Sequence, residues 1–158
     1  MLLNSVYVIT AYMPSHLPLP AIAHLLLQLQ QTGHLRVSRP GPDQQRELQA
    51  LARLQRLQHP TFLQRYDQLF RWVSLWLLAC GYALTNYQPH QVLAQVCALF
   101  ADPGQVRELI RCRHALKYGA GAPSRAGESV LAELLAHFTT AAERHTITEP
   151  AIDVRLPQ

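Results

Sequence analysis

The chain has 158 residues, of which 49% are hydrophobic and 15% charged, and its formal net charge at pH 7 is +4. This length and composition are ordinary for one folded domain, and no low-complexity block interrupts them. The modest positive charge permits a polyanionic partner but does not require one.

Residue spacing argues against several kinds of site and segment. The cysteines, Cys80, Cys97 and Cys112, are too widely spaced for a disulfide framework or zinc ligands, so we expect buried free thiols. The histidines form no H-x-x-x-H pair, and we expect no metal site and no cofactor. Residues 1–13 lack a signal-peptide pattern, and no apolar run reaches the about 20 residues that span a bilayer. We therefore expect a cytoplasmic protein with no membrane partner.

The first third of the chain contains one strand-like segment and one clear helix. Residues 2–12 are β-branched and aromatic, which favours a strand that extends, pairs with a partner chain or gives way to a helix. Apolar residues at helical spacing predict a helix over Pro20–Thr32, with Gly33 just after its end. Proline and glycine predict a loop over Arg36–Pro42.

Two helices are predicted next. Asp43 is the candidate N-cap of a helix that ends near His59-Pro60. Its expected apolar face consists of Leu48, Leu51, Ala52, Leu54 and Leu57. A long helix over Thr61–Gly81 has an apolar stripe wide enough for the centre of a bundle. Arg71 within that stripe is expected to snorkel or to pair with an acid.

Three further helices complete the pattern. After a short loop, Tyr82–Gln88, the fourth helix runs over Pro89–Phe100 with proline at its first position. The fifth carries the segment Arg107–Tyr118 and stops at Gly119. Ser124 caps the last helix. Its expected apolar face consists of Val130, Leu131, Leu134, Leu135, Phe138 and Ala142.

These patterns predict an all-α domain whose main unit is an antiparallel four-helix up-and-down bundle. Short connections between consecutive helices favour antiparallel neighbours. We place the bundle at residues 59–146, preceded by the strand-like segment and two helices at 1–58. Residues 147–158, which lack periodicity, form an extended or disordered tail.

One helix concentrates basic, acid/base-capable and aromatic side chains. At about 100° per residue, four side chains of the fifth helix fall within about 60° of one another and form what we call the basic stripe: Arg107, Arg111, His114 and Tyr118. The apolar side chains lie on the opposite side. The stripe therefore faces water, a ligand or another subunit, and a merely solvated basic face is the alternative.

Three blocks of the chain resemble the bacterial HEPN domain, a four-helix family of toxin–antitoxin ribonucleases and nucleotidyltransferase partners. The first is the long helix from His59-Pro60-Thr61-Phe62 to Gly81-Tyr82, and the second is Pro89-His90 with the helix behind it. The third, R-C-R-H-A-L-K-Y-G-A-G-A-P-S, is similar to the family ending R-x-x-R-N-x-x-x-H/Y. The resemblance covers about residues 20–145 and implies the four-helix fold.

In active family members, an arginine and a histidine four to six residues apart cleave RNA without a metal. Counted from Arg113, His114 stands at the usual asparagine position and Tyr118 at the histidine position. Counted from Arg107, the spacing is R-x6-H, but Glu108 follows the arginine. The resemblance therefore implies a non-catalytic or cryptic module that binds RNA, a nucleotide or a protein partner. A metal-independent ribonuclease and a structural helical subunit are the alternatives.

Each candidate residue has a chemical role in this interpretation. The catalytic candidates are Arg107, Arg111, Arg113, His114 and Tyr118, and the binding candidates are His90 and Lys117. Metal-free RNA cleavage needs a base, an acid and a cation for the phosphorane. His114 can supply the proton transfers, Arg107 or Arg111 can hold the phosphate, and Tyr118 can donate or stack. The implied partners are a second copy of the chain, an antitoxin or a nucleotidyltransferase.

Overall fold

The computed structural model describes residues 19–39, 41–119 and 121–147. Within these ranges it contains six helices and two short strands, which confirms the all-α class. In chain order they are α1 (Leu19–Gln31), β1 (Leu35–Val37), α2 (Pro42–Gln55), α3 (Phe62–Ala79), β2 (Tyr82–Leu84), α4 (Pro89–Cys97), α5 (Pro103–Lys117) and α6 (Arg125–Ile147). The predictions for residues 2–12 and 148–158, and for the side chain of Ala142, lie outside the described residues.

Helix α3 is the central helix, as its apolar stripe predicts. It packs against α2, α4, α5, α6 and β2. Thr61 starts it with a capping box: the Thr61 hydroxyl accepts the Gln64 N–H at 3.2 Å, and the Gln64 side chain accepts the Thr61 N–H at 2.9 Å. Its buried apolar side chains are Phe62, Tyr66, Leu69, Trp72, Val73, Trp76, Leu77 and Leu78.

Most helix ends lie where local chemistry predicts them. Gly33 and Gly119 follow the ends of α1 and α5 with φ of +79° and +76°, a backbone conformation that side chains rarely adopt. The side chains of Asp102 and Ser124 cap α5 and α6, since each accepts the N–H of the third residue of its helix, at 3.0 and 3.1 Å. These interactions fix the length of α5 and the start of α6.

Two segments predicted as loops pair instead as strands. β1 and β2 are antiparallel, with Leu35 opposite Leu84 and Val37 opposite Tyr82. The loop predictions for Arg36–Pro42 and Tyr82–Gln88 are therefore wrong over β1 and β2. Strands this short show no clear alternation, and their partners lie far apart in the chain.

The start of α2 also differs from prediction. Gly41 is the N-cap residue and Pro42 the first helical residue, so Asp43 is not the cap but lies in the first turn. Its carboxylate accepts hydrogen bonds from Arg36 and Arg46 instead. Proline at the first helical position needs no N–H partner, which makes this start compatible with an uncapped helix.

The predicted apolar face of α2 is only partly covered. Leu51 is buried, but Leu48 is 44% exposed, because α2 packs chiefly against α3. The helix also ends at Gln55 and not near His59-Pro60 as predicted, so Leu57, which is 39% exposed, lies beyond it. Helix α4 likewise ends at Cys97, and a turn replaces the predicted last helical residues up to Phe100. The leucines at helical spacing therefore predicted a wider apolar face for α2 than the one that the fold buries.

One hydrophobic core joins the N-terminal helix to the rest of the fold. Ile22, Leu26 and Leu29 of α1 belong to the same buried cluster as the side chains of α3 to α6. The three cysteines are free thiols, and Cys97 and Cys112 are buried within this core. In the ranges described, no helix combines the length and apolar character needed to cross a membrane.

Candidate functional site

The basic stripe of α5 faces outward, as its spacing predicts. Val106, Leu109 and Cys112 are buried against the core, which turns the opposite side of α5 to solvent. All four residues of the stripe are exposed, and Tyr118 is 71% exposed. A ligand could therefore reach the whole stripe without displacing the fold.

Two rings form a pair at the C-terminal end of the stripe. The ring centroids of His114 and Tyr118 lie 4.7 Å apart, one helical turn from each other. Both residues are exposed, and Lys117 lies between them in the chain. An exposed aromatic ring beside a cation is an arrangement on which a nucleic-acid base can stack.

Arg111 differs from the rest of the stripe because an intramolecular partner occupies it. Its Nε and Nη2 donate to the two carboxylate oxygens of Glu108 at 2.8 and 2.6 Å. Glu108 Oε1 also accepts the Ser124 hydroxyl at 2.7 Å. These bonds, that of Arg111 first, lower the pKa of Glu108 to about 2. Glu108 thus binds Arg111 on α5 and also fastens α5 to the start of α6 through Ser124.

A second group of side chains, which we call the His90 cluster, lies where α3, α4 and α5 meet. It consists of Tyr66, His90 and Arg113, with Lys117 one turn beyond Arg113 on α5. The Tyr66 hydroxyl lies 3.0 Å from His90 Nδ1, and the Arg113 guanidinium carbon lies 5.5 Å from the centre of the Tyr66 ring. The ring of Phe70 lies 5.1 Å from that of His90.

Local sequence features position each member of the cluster. Pro89 starts α4 directly after Gln88, which adopts φ +48°, and this places His90 in the first turn. Tyr66 lies on the buried face of α3, one turn beyond its capped start. Arg113 and Lys117, four residues apart, share one side of α5 next to its buried face.

The electrostatics of the cluster favour a neutral histidine. Burial lowers the pKa of His90, the charges of Arg113 and Lys117 lower it further, and Asp67 opposes them. Burial also raises the pKa of Tyr66, which therefore keeps its proton. At neutral pH, the lowered pKa of His90 leaves its imidazole neutral beside the cations of Arg113 and Lys117.

The Tyr66 hydrogen bond also selects a tautomer of His90. Tyr66 is completely buried, so its O–H needs an acceptor, and His90 Nδ1 is the acceptor within reach. When the hydroxyl donates to Nδ1, the ring hydrogen of neutral His90 lies on Nε2. His90 then offers an N–H donor, together with the cations of Arg113 and Lys117, which is a combination suited to hold a phosphate.

The structure divides the candidates named from the sequence into two groups. Tyr66 links His90 of α4 to Arg113 of α5, and Lys117 follows Arg113 by one turn, whereas Arg107, Arg111, His114 and Tyr118 lie on the outward side of α5. Sequence reasoning missed Tyr66, which looked like an ordinary core residue of α3. The signal was its hydroxyl, since a tyrosine on a buried face requires a polar partner.

Comparisons of the chain with protein-family models, curated proteins and solved structures find no match. The arrangement of side chains is therefore the basis for inferring function. The described residues contain no group of three or more histidine, cysteine or acidic side chains that could hold a metal ion.

Proposed function

We propose that this chain is a HEPN-like helical module that binds RNA through α5 and the start of α4 without cleaving it. The observation that carries the proposal is that Tyr66 contacts both His90 of α4 and Arg113 of α5, while Lys117 and the exposed rings of His114 and Tyr118 lie on the same helix α5. Cations and stackable rings on one surface are the two elements that single-stranded RNA recognition uses.

The cations of this surface are available to a ligand. Arg107, Arg113 and Lys117 form no ion pair with any carboxylate of the described residues, in contrast to Arg111. A guanidinium without an intramolecular carboxylate can place two N–H donors on one phosphate. The release of counterions from the phosphates then supplies a binding free energy that depends strongly on salt.

One observation favours binding over cleavage by the groups of the basic stripe. Glu108 occupies Arg111, which removes one of the cations suggested for the phosphorane. Within this proposal, a symmetric dimer facing two copies of α5 would double the number of cations along the RNA.

Salt-dependent binding of a fluorescein-labelled single-stranded RNA, followed by anisotropy, tests the proposal. We expect Arg113→Gln/Lys117→Gln to weaken binding and to reduce the slope of log K against log salt by about 0.7 for each phosphate that the protein no longer neutralises. The control Arg53→Gln/Arg56→Gln removes the same charge from exposed positions at the end of α2 and should leave both quantities unchanged. Folded protein that binds no RNA at low salt would refute the proposal.

The same samples test the ribonuclease alternative. The RNA is incubated with the protein in EDTA and examined on a denaturing gel. We expect intact RNA with the wild-type chain. Cleavage that disappears in both His114→Ala and Arg107→Ala, with unchanged circular dichroism, would establish the ribonuclease and overturn the non-catalytic proposal.

A further inference from the structure

A cavity of about 440 Å³ opens between α2, α3, β2 and the start of α4. This volume lies in the range of sites that bind small molecules. Its cations come from β1, α2 and α3, so they are not those of the proposed RNA surface. Phe70 lines the cavity and also contacts His90, which makes this ring the boundary between the two regions.

Charged side chains surround the cavity in two linked sets. Arg36 and Arg46 both donate to Asp43, and these hydrogen bonds lower the pKa of its carboxyl. Arg71 donates to both oxygens of Glu47 at 3.0 and 3.2 Å. The cavity therefore has three guanidinium groups and only two carboxylates.

The arginines retain donors for a further anion. Arg36 and Arg46 each use one terminal nitrogen on Asp43, and a guanidinium has five N–H groups. Their side chains are half or more exposed, so the remaining N–H groups can turn toward the cavity. One unbalanced positive charge and spare planar donors favour an anionic group over a neutral or cationic one.

The other lining residues provide an apolar surface and neutral polar groups. Phe70, Leu78, Ala83 and Leu84 contribute the apolar part. Asn86 lies at the exposed side of the same cavity. A phenyl ring beside apolar side chains accommodates a flat ring by offset stacking, whereas an aliphatic chain would gain only area.

We propose that this cavity binds a small organic anion with a planar aromatic body of one or two rings. The ring lies against Phe70, and a carboxylate or phosphate group receives N–H donors from Arg36 and Arg46. This site is independent of RNA binding by α5. Either function can therefore fail without the other.

Calorimetric titration of the full-length chain with three probes of one shape tests the proposal. The probes are 2-naphthoate, 2-naphthyl phosphate and the neutral 2-naphthamide. We expect an anionic probe to bind at least about tenfold more tightly than the amide, since hydrogen bonds from a guanidinium to an anion are stronger than those to a neutral acceptor. Comparison of the first two probes distinguishes a carboxylate site from a phosphate site.

Three variants locate the binding. Arg36→Gln/Arg46→Gln should remove the preference for the anion, and Ala83→Leu, which fills the cavity, should weaken all probes. Arg53→Gln/Arg56→Gln is the charge-matched control and should bind like the wild type. Circular dichroism and thermal melting confirm folding of each variant, and the arginine variant decides the test if Ala83→Leu does not fold.

The outcomes that would overturn the proposal are distinct. The proposal is wrong if the folded wild-type chain binds no probe at millimolar concentration, or if it binds the amide as tightly as the anions. It is also wrong if Arg36→Gln/Arg46→Gln binds the probes like the wild type. Loss of probe binding in Arg113→Gln/Lys117→Gln would assign the anion to the His90 cluster instead and would also refute the site.

Discussion

The hydroxyl oxygen of Tyr66 lies 3.0 Å from Nδ1 of His90, and this contact joins the central helix α3 to the first turn of α4. Tyr66 is completely buried, so the contact satisfies a donor that water cannot reach. The same hydrogen bond places the ring hydrogen of neutral His90 on Nε2. One pair of side chains thus serves both packing and the proposed binding surface.

Removal of this hydroxyl should destabilise the fold. We expect Tyr66→Phe to lower the free energy of unfolding by about 1 kcal/mol, the usual net contribution of one hydrogen bond. Urea denaturation followed by circular dichroism measures the change. Tyr82→Phe, a partly exposed tyrosine of β2, is the control and should change stability by less than about 0.5 kcal/mol. Equal effects of the two substitutions would contradict the role of the contact.

The charge of Arg113 should be visible in the titration of His90. Since the pKa of His90 in the folded chain lies below its ordinary value of 6.5, the unfolded chain binds this proton more readily. The free energy of unfolding therefore falls as the pH drops through 6.5 toward the folded-state pKa. Arg113→Gln should raise that pKa and make the fall shallower.

Proton NMR of the His90 Cε1–H resonance against pH measures this shift directly. Arg53→Gln, which removes a charge from α2, should leave the titration unchanged. If the His90 pKa does not rise in Arg113→Gln, the guanidinium does not act on the imidazole as the geometry indicates.

Acid stability should depend on Glu108. Arg111 and Ser124 hold the pKa of this carboxyl at about 2, below its ordinary value of 4.5. Its contribution to stability is therefore complete above pH 4.5 and is lost as the pH falls toward 2. We expect Glu108→Gln to be less stable at neutral pH and to lose less stability over this interval. Urea denaturation at several pH values measures this change, with the exposed Glu133→Gln as control. If the stability of Glu108→Gln falls as much as that of the wild type between pH 4.5 and pH 2, the prediction is wrong.

Packing between α5 and α6 requires glycine at position 127. A Cβ there would lie 2.7 Å from Sγ of Cys112, which itself contacts the Ser124 hydroxyl at 3.4 Å. We expect Gly127→Ala to cost about 1–3 kcal/mol through overpacking. In a double-mutant cycle, Cys112→Ala should relieve part of that cost, and strictly additive effects would show that the clash is not with the thiol.

The capping box at the start of α3 should also be measurable. Thr61→Ala removes the acceptor of the Gln64 N–H, and an N-cap loss of this kind typically costs about 1 kcal/mol. Thermal unfolding compares it with Thr140→Ala, which lies at an exposed position within α6. The control should be neutral or slightly stabilising because alanine has the higher helix propensity. A neutral Thr61→Ala would argue against the capping box.

Several helix ends were predictable because neighbouring residues determine them. Gly33, Gly119 and Ser124 act within one turn, and the structure places each at the expected end. The sheet was not predictable, since α2 and α3 separate Leu35 from its partner Leu84 in the chain. Asp43 had a competing role that the sequence does not reveal, because its partner Arg36 lies in β1.

The candidate site shows the same division between local and long-range information. The outward direction of the stripe follows from the helical period alone, and the structure confirms it. The pair of Arg111 with Glu108 is local to α5, but the further hydrogen bond of Glu108 comes from Ser124, the residue that caps α6. The contact of Tyr66 with His90 depends on the packing of α4 on α3, which no local pattern encodes.

The pairing of β1 with β2 has a consequence for the order in which the chain assembles. To form it, the chain must close a loop from Val37 to Tyr82, and such closure carries an entropic cost that grows with the length of the free segment. Packing of α2 against α3 shortens that segment beforehand. The strands should therefore join late, and the amides of Ser38 and Thr85, which flank the sheet, should exchange with solvent deuterium sooner than those inside α3.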